Sequence, residues 1–341
     1  MRPHFLHVLA PFLSLVVGVA AARAAGEPLA TLHEYVMGTM AEIRIHGAAD
    51  PAGASAAAEA VMAELRALDR LMAVQRPDSD VSRMNRIAAG AAVPVDPRVL
   101  EVLRAALRMH DLTGGAFDVT VLPVVRAWGF DGAQPHRPTG ALQRIAGSEN
   151  IRIDEATGTV RFRDAATAVD LGGIAKGYAL DRGRAVLRAA GVSSAYLDLG
   201  GQVATLGPAP DGGLWRIAIR HPRQPGALLG VVSLGEGSVS TSGDAERFVE
   251  DDEGRAGHVI DPRTGRPATR LVVATVVAAS ATTADALSTA ALVMGGDDFL
   301  PLADRLGVEA LLGTLVRPSE VRTTQTAGLR FEPAYNERDI L

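Results

Sequence analysis

Strand-like and helix-like segments follow one another irregularly along this chain, and that order constrains its fold more than any other feature. "TMAEIRIHG", from Thr39 to Gly47, alternates apolar and polar side chains, as a strand with one buried face does. From about Ser55 to Val74, Val61, Leu65, Leu68 and Met72 recur at helical spacing and predict an amphipathic helix. A second helix is expected after Asp96, with Asp96 as N-cap and Pro97 in the first turn; Val99, Leu100, Leu103 and Leu107 form its buried stripe. Short strands around Ile151 to Ile153 and Thr159 to Phe162 flank the turn "DEATG", and further strands are expected in "SSAYLDLGG", "WRIAIRHP", "LGVVSL" and "VEALLG". The β-branched run "LVVATVVAAS" reads as a strand, followed by a helix from Thr283 to about Met294 and a short one in "DDFLPLADRLG". No regular βαβ alternation runs through this order. The expected class is therefore α+β, with mixed or antiparallel sheets and flanking helices.

At 341 residues the chain has room for one large domain or two modest ones. A net charge of −5 without basic clusters argues against a nucleic-acid surface, and 4% aromatic residues leave little for stacking bases. The N-terminus differs: "FLHVLAPFLSLVVGVAAA" is an apolar stretch behind Arg2, and Ala22 and Ala24 supply the small residues of a cleavage site. Residues 1–24 are expected to be a cleavable signal peptide, with an uncleaved membrane anchor as the rival reading; the mature chain then starts near Ala25. The absence of cysteine excludes disulfides, thiolate metal sites, cysteine nucleophiles and lipid attachment. A soluble periplasmic protein fits these features.

The segment most suggestive of chemistry is "DLGGIAKGYALD", Asp170 to Asp181. It matches neither the P-loop spacing nor G-x-G-x-x-G. Two readings stand: a tight turn feeding a helix, with Asp170 as a local acceptor, or a backbone that Gly172 and Gly173 let approach a ligand closely. In "TTADALSTAALVMGG", Asp285 and Thr289 are four apart and share a helix face, a carboxylate and a hydroxyl suited to a hard cation such as magnesium. The plainer alternative is that Asp285 complements the helix dipole while Thr283 caps. "GHVIDPRTGRP" carries His258 just before a turn started by Asp261-Pro262, "TGGAFDVTV" places two glycines before Asp118, and "GSVSTSGD" offers hydroxyls to a pocket.

Taken in order with "MGTM", "RPDSDVSRMN", "TGGAFDVTVLPVVRAWGF" and "YLDLGG", these segments resemble the ApbE family, the FAD:protein FMN transferases, from about Thr31 to Thr314. The resemblance implies a T-fold-related α+β architecture with a cleft between two subdomains, residues 25–341 forming a single transferase domain. It implies magnesium-dependent transfer of the FMN half of FAD to a threonine or serine of an acceptor flavoprotein, with AMP leaving. The family acceptor motif resembles D-x-x-[ST]-G-A-[ST], and membrane contact is expected only through the acceptor or an uncleaved leader. Family flavin contacts map onto Met37, Ala116, Phe117, Asp118, Asp170 and Lys176. Metal contacts map onto Gly173 (through its carbonyl), Asp285 and Thr289, and the base onto His258, which also borders the flavin site. Gln75 stands where some members carry a tyrosine expected to pack beside the flavin. That departure keeps FAD hydrolysis to FMN and AMP as an alternative; a non-catalytic flavin carrier is the other, although storage needs no base.

Overall fold

The alternation at Thr39–Gly47 continues a strand that starts at Ala30, and the two form a hairpin whose register leaves only Met37 and Gly38 in the loop. A computed structural model of the chain describes residues 27–131, 136, 145, 147–245, 248–251 and 254–334. The expected signal peptide lies outside the described residues. Among them, no helix is long and apolar enough to cross a membrane.

The main sheet has eight strands: β1 (Ala30–Val36), β2 (Thr39–Gly47), β3 (Ser194–Leu199), β4 (Val203–Leu206), β5 (Gly237–Gly243), β6 (Val273–Ala278), β7 (Glu309–Arg317) and β8 (Glu320–Gln325). Each pairs antiparallel with the next, so the sheet is a meander. The expectation of mixed or antiparallel sheets thus resolves as antiparallel. Between β2 and β3 the chain makes one long excursion carrying helices α1 (Pro51–Met72), α2 (Asp80–Ile87), α3 (Pro97–Leu112), α4 (Leu122–Ala127) and α5 (Ala175–Ala189). Helices α6 (Ala281–Met294) and α7 (Gly296–Leu306) lie between β6 and β7.

Alternation in β2 sends Ala41, Ile43 and Ile45 into the main core, where they meet Val61, Leu65 and Leu68 of α1 and Val99 and Leu103 of α3. A separate cluster of Trp215, Ile217, Ile219 and Val232 packs with Val203 and Val239 of the sheet. A third and smaller one joins Val124, Trp128 and Phe130 to Val249, Ala256 and Ile260.

Helix boundaries follow their caps. Asp96 caps α3 as expected, accepting from the Arg98 amide at 2.9 Å. Helix α1 begins at Pro51, ahead of the expected start near Ser55, because Asp50 caps it. Its first turns bury Ala54, Ala57 and Ala58, which are too small to advertise a stripe. Helix α6 corrects the expectation of a start at Thr283 capped by Thr283 itself. It begins at Ala281, and Ser280 is the N-cap.

That cap is reinforced from another helix. The Asp181 carboxylate on α5 accepts from the Ala281 and Thr282 amides, both at 2.9 Å, and from the Thr282 and Ser280 hydroxyls at 2.7 and 2.8 Å. Arg184 donates to the same group at 2.5 Å. Asp181 therefore satisfies amides that a helix start leaves open, and it locks α6 to α5. Asp181→Ala should destabilise the protein by about 1–3 kcal/mol, because two helix-start amides, two hydroxyls and Arg184 lose a charged, partly buried acceptor. Denaturant unfolding checks this; a loss within experimental error of zero would contradict it.

Candidate active site

Helices α5 and α6 meet at Gly177. A Cβ there would strike the Ala281 carbonyl and come within 2.7 Å of the Asp285 Cβ, so only glycine permits this approach. The consequence is chemical. The Gly177 amide donates to Asp285 Oδ2 at 2.9 Å, while Gln202 Nε2, from the turn between β3 and β4, donates to Oδ1 at 2.7 Å. Asp285 is 1% exposed, and burial pushes its carboxyl above the ordinary range, against the charge of Lys176 and the two N–H donors.

Thr289 lies one turn along α6, its hydroxyl 3.4 Å from the Asp285 carbonyl and 3.5 Å from Ser242 Oγ at the end of β5. Ser242 and Ser240 also reach Ser288, at 2.8 and 3.2 Å, so hydroxyls of "GSVSTSGD" pack against α6. Gly173 closes the group: a Cβ on it would lie 3.3 Å from both Thr289 Oγ1 and the Phe117 ring. The proposed metal residues Gly173, Asp285 and Thr289 thus converge with the buried Phe117. Among the described residues no cluster of three His, Cys, Asp or Glu could hold a metal. This set instead has one carboxylate and neutral oxygens, which magnesium tolerates because it keeps water and substrate ligands.

The loop before α5 follows the turn reading. Asp170 Oδ1 accepts from the Gly172 amide at 2.8 Å, the Asp170 amide donates to the Val119 carbonyl at 2.8 Å, and Lys176 Nζ donates to the Gly172 carbonyl at 3.2 Å. Asp170 and Lys176 are both partly exposed at the mouth of the helix pair. Met37, in the β1–β2 turn, has φ 53° and Gly38 φ 76°; both positive, they match the twist of a two-residue hairpin. Only Gly38 adopts this conformation freely, so Met37 carries a strain of roughly 1 kcal/mol. The neighbouring Thr39 packs on Gly200 of the β3–β4 turn, which places Met37 near the turn that supplies Gln202.

Ala116 and Phe117 are buried at 2% and 4% exposure. Asp118 is a hub: it accepts from the Thr120 amide and hydroxyl, both at 2.7 Å, and from the Ser148 amide and hydroxyl at 3.0 and 2.7 Å. His110 Nδ1 stands 3.2 Å from its Oδ2. Burial opposes the charge, but these donors and the nearby imidazole hold the Asp118 carboxyl below its ordinary range, while the Asp118 carboxylate beside it raises the His110 pKa. Protonated His110 therefore contributes stability that is complete below about pH 6.5 and fades as pH rises through its raised folded value. His110→Gln should lower the melting temperature most below about pH 6.5 and progressively less as pH rises. A pH-independent difference would refute the pairing.

His258 packs edge-on to Phe130 of the third apolar cluster at 6.4 Å, with Phe130 stacked on Trp128 at 6.1 Å. Its neighbour Gly257 lies against Asp244, directly after the strand that carries Ser242 to Thr289. Gln75 is exposed in the turn after α1, and no described hydrogen bond joins it to the Asp285 group. Sequence reading missed Gln202, Gly177 and His110. A polar residue directly after the paired glycines of "YLDLGG" was the available signal for Gln202, and the eight-residue offset before Asp118 carried none for His110.

The fold is shared with solved flavin transferases. The chain aligns with the ApbE protein of Thermotoga maritima at a TM-score of 0.77 and 30% identity, covering 87% of this chain and 97% of that one. The apo flavinyl transferase ApbE of Pseudomonas stutzeri aligns at 0.76 and 32% identity, over 87% and 94%. In sequence, the FAD:protein FMN transferase of Vibrio cholerae serotype O1 is 34% identical over 250 residues, 71% of this chain and 74% of that protein. The ApbE family pattern matches residues 37–312, and the chain belongs to the ApbE family.

Proposed function

We propose that this protein transfers the FMN half of FAD to a serine or threonine hydroxyl of an acceptor flavoprotein, with magnesium bound by Asp285, Thr289 and the Gly173 carbonyl. The observation that carries this reading is that Gly173 and Phe117, from distant segments, meet Thr289 one helical turn from the buried Asp285. The residues fit a hard cation. Each Asp285 oxygen accepts one N–H and keeps lone-pair capacity, and the Thr289 hydroxyl can donate to the Asp285 carbonyl while accepting from the other side. A magnesium ion held by these residues would supply charge neutralisation at the FAD diphosphate.

The acceptor hydroxyl attacks the FMN phosphorus. The bond from that phosphorus to the bridging oxygen breaks, and AMP leaves with the bridging oxygen and its electron pair. His258 takes the hydroxyl proton, a task suited to neutral imidazole near pH 7. Lys176 adds positive charge near the mouth of the helix pair, and Met37, Ala116, Phe117, Asp118 and Asp170 form the flavin side. Because Asp118 is saturated by protein donors, its part is to hold this loop in shape. The chain acts as a single domain over residues 25–341, in the periplasm after removal of residues 1–24, on an acceptor carrying a D-x-x-[ST]-G-A-[ST]-like motif.

Incubation with FAD, magnesium and an acceptor-motif peptide, read by intact mass, tests this. A peptide gaining the mass of FMN is the expected result. FMN release without a modified peptide means hydrolysis, and intact FAD means a carrier; either outcome overturns the proposal.

A further inference from the structure

Gln202 is 6% exposed, yet its two amide atoms differ sharply in satisfaction. Nε2 donates to Asp285 Oδ1 at 2.7 Å, whereas Oε1 is buried without a hydrogen-bond partner. Rotating the amide by half a turn does not relieve this, because it would set Oε1 against a carboxylate oxygen, two acceptors in contact. Buried acceptors without a donor are rare and cost about 1–3 kcal/mol. The placement is also deliberate in the backbone. Gly200 (φ 70°) and Gly201 (φ 85°) make the tight turn that presents Gln202, and the Leu199 amide closes it on the Gln202 carbonyl at 2.8 Å. A Cβ on Gly200 would collide with Thr39, so the turn is pinned against the β1–β2 hairpin.

We propose that Gln202 is a positioning residue of the divalent-cation site. Its Nε2–H holds the Asp285 carboxylate, and its Oε1 accepts a hydrogen bond from a water that the cation brings. This rests on the reading of Asp285 as a magnesium ligand. With the Gly177 amide on Oδ2 and Gln202 on Oδ1, one N–H sits on each carboxylate oxygen, which fixes the plane of the group from two sides. Outer groups that orient metal ligands in this way are typically worth about 10- to 100-fold in metal affinity.

The test is calorimetric titration of the full, metal-free and FAD-free chain with magnesium chloride, paired with thermal melts. Gln202→Leu removes donor and acceptor at similar size. It should weaken magnesium binding about 10- to 100-fold, with a metal-free melting temperature close to that of the wild type. Gln202→Glu keeps an acceptor but opposes a second carboxylate to Asp285. It should melt lower without metal and gain more from magnesium than the wild type does, a response that a purely structural role would not produce. Asp285→Ala separates the two levels. If it binds magnesium normally, the ligand reading falls and this inference with it. If Asp285→Ala loses binding while Gln202→Leu binds like the wild type, Gln202 alone is excluded. Should Gln202→Leu not fold, the Gln202→Glu melts decide: a magnesium response equal to that of the wild type overturns the proposal.

Discussion

Asp285→Ala, which removes the carboxylate proposed to hold magnesium, is expected to lower FMN transfer by on the order of 10³-fold, the upper range for removing one preorganised charge-stabilising group. Asp285 is the only acidic side chain in the converging set, and among the described residues no acidic cluster stands by to replace it. The same substitution should leave the fold nearly as stable. Burial already disfavours the charged form of Asp285, so its removal relieves a desolvation cost. Against that, the Gly177 amide and Gln202 Nε2 lose their acceptor, which offsets the relief. The prediction is thus a loss of function with little change in unfolding free energy, measured by transfer assay and denaturant titration. Wild-type magnesium dependence in the variant would refute the assignment.

The second large effect concerns the proton. His258→Ala should reduce transfer by about 10²- to 10⁴-fold, the usual worth of a positioned general base. FAD and magnesium binding should persist, because the proposed metal set does not include His258, whose ring packs edge-on to Phe130. Calorimetric FAD titration beside the transfer assay distinguishes the two consequences. Full transfer in the variant removes His258 from the mechanism, and lost FAD binding would make it a flavin contact first.

Much of the fold was legible because its signals are local. Alternation in β2, the Asp96 cap and the apolar stripes of α1 and α3 act over a few residues, and the structure has them, with Leu107 of the α3 stripe only partly buried. The signal failed where side chains were small: the alanines opening α1 and the Ala-Thr-Thr start of α6 carry no bulky stripe. Of the candidate site residues, Gly173, Phe117 and Thr289 lie together one turn from Asp285, while Gln75 is exposed in the turn after α1. Motifs do not show who touches whom. The turn formed by Asp170 and Gly172 was among the readings of its loop, whereas the part Gly177 plays there was not.

By itself the sequence determined the α+β class, most element boundaries to within a few residues, and membership of the ApbE family. These depend on periodicity, capping and composition, which short stretches of chain carry. Only the tertiary structure decided how Asp285 is held: Gly177 lies 108 residues away in sequence and Gln202 83. Only it showed that Asp181 caps a helix 100 residues downstream. The reason is physical. A hydrogen bond of 2.7 to 2.9 Å between such partners requires two helices to approach through a glycine and a turn to be pinned on a hairpin. Those distances are set by packing, which no local pattern encodes.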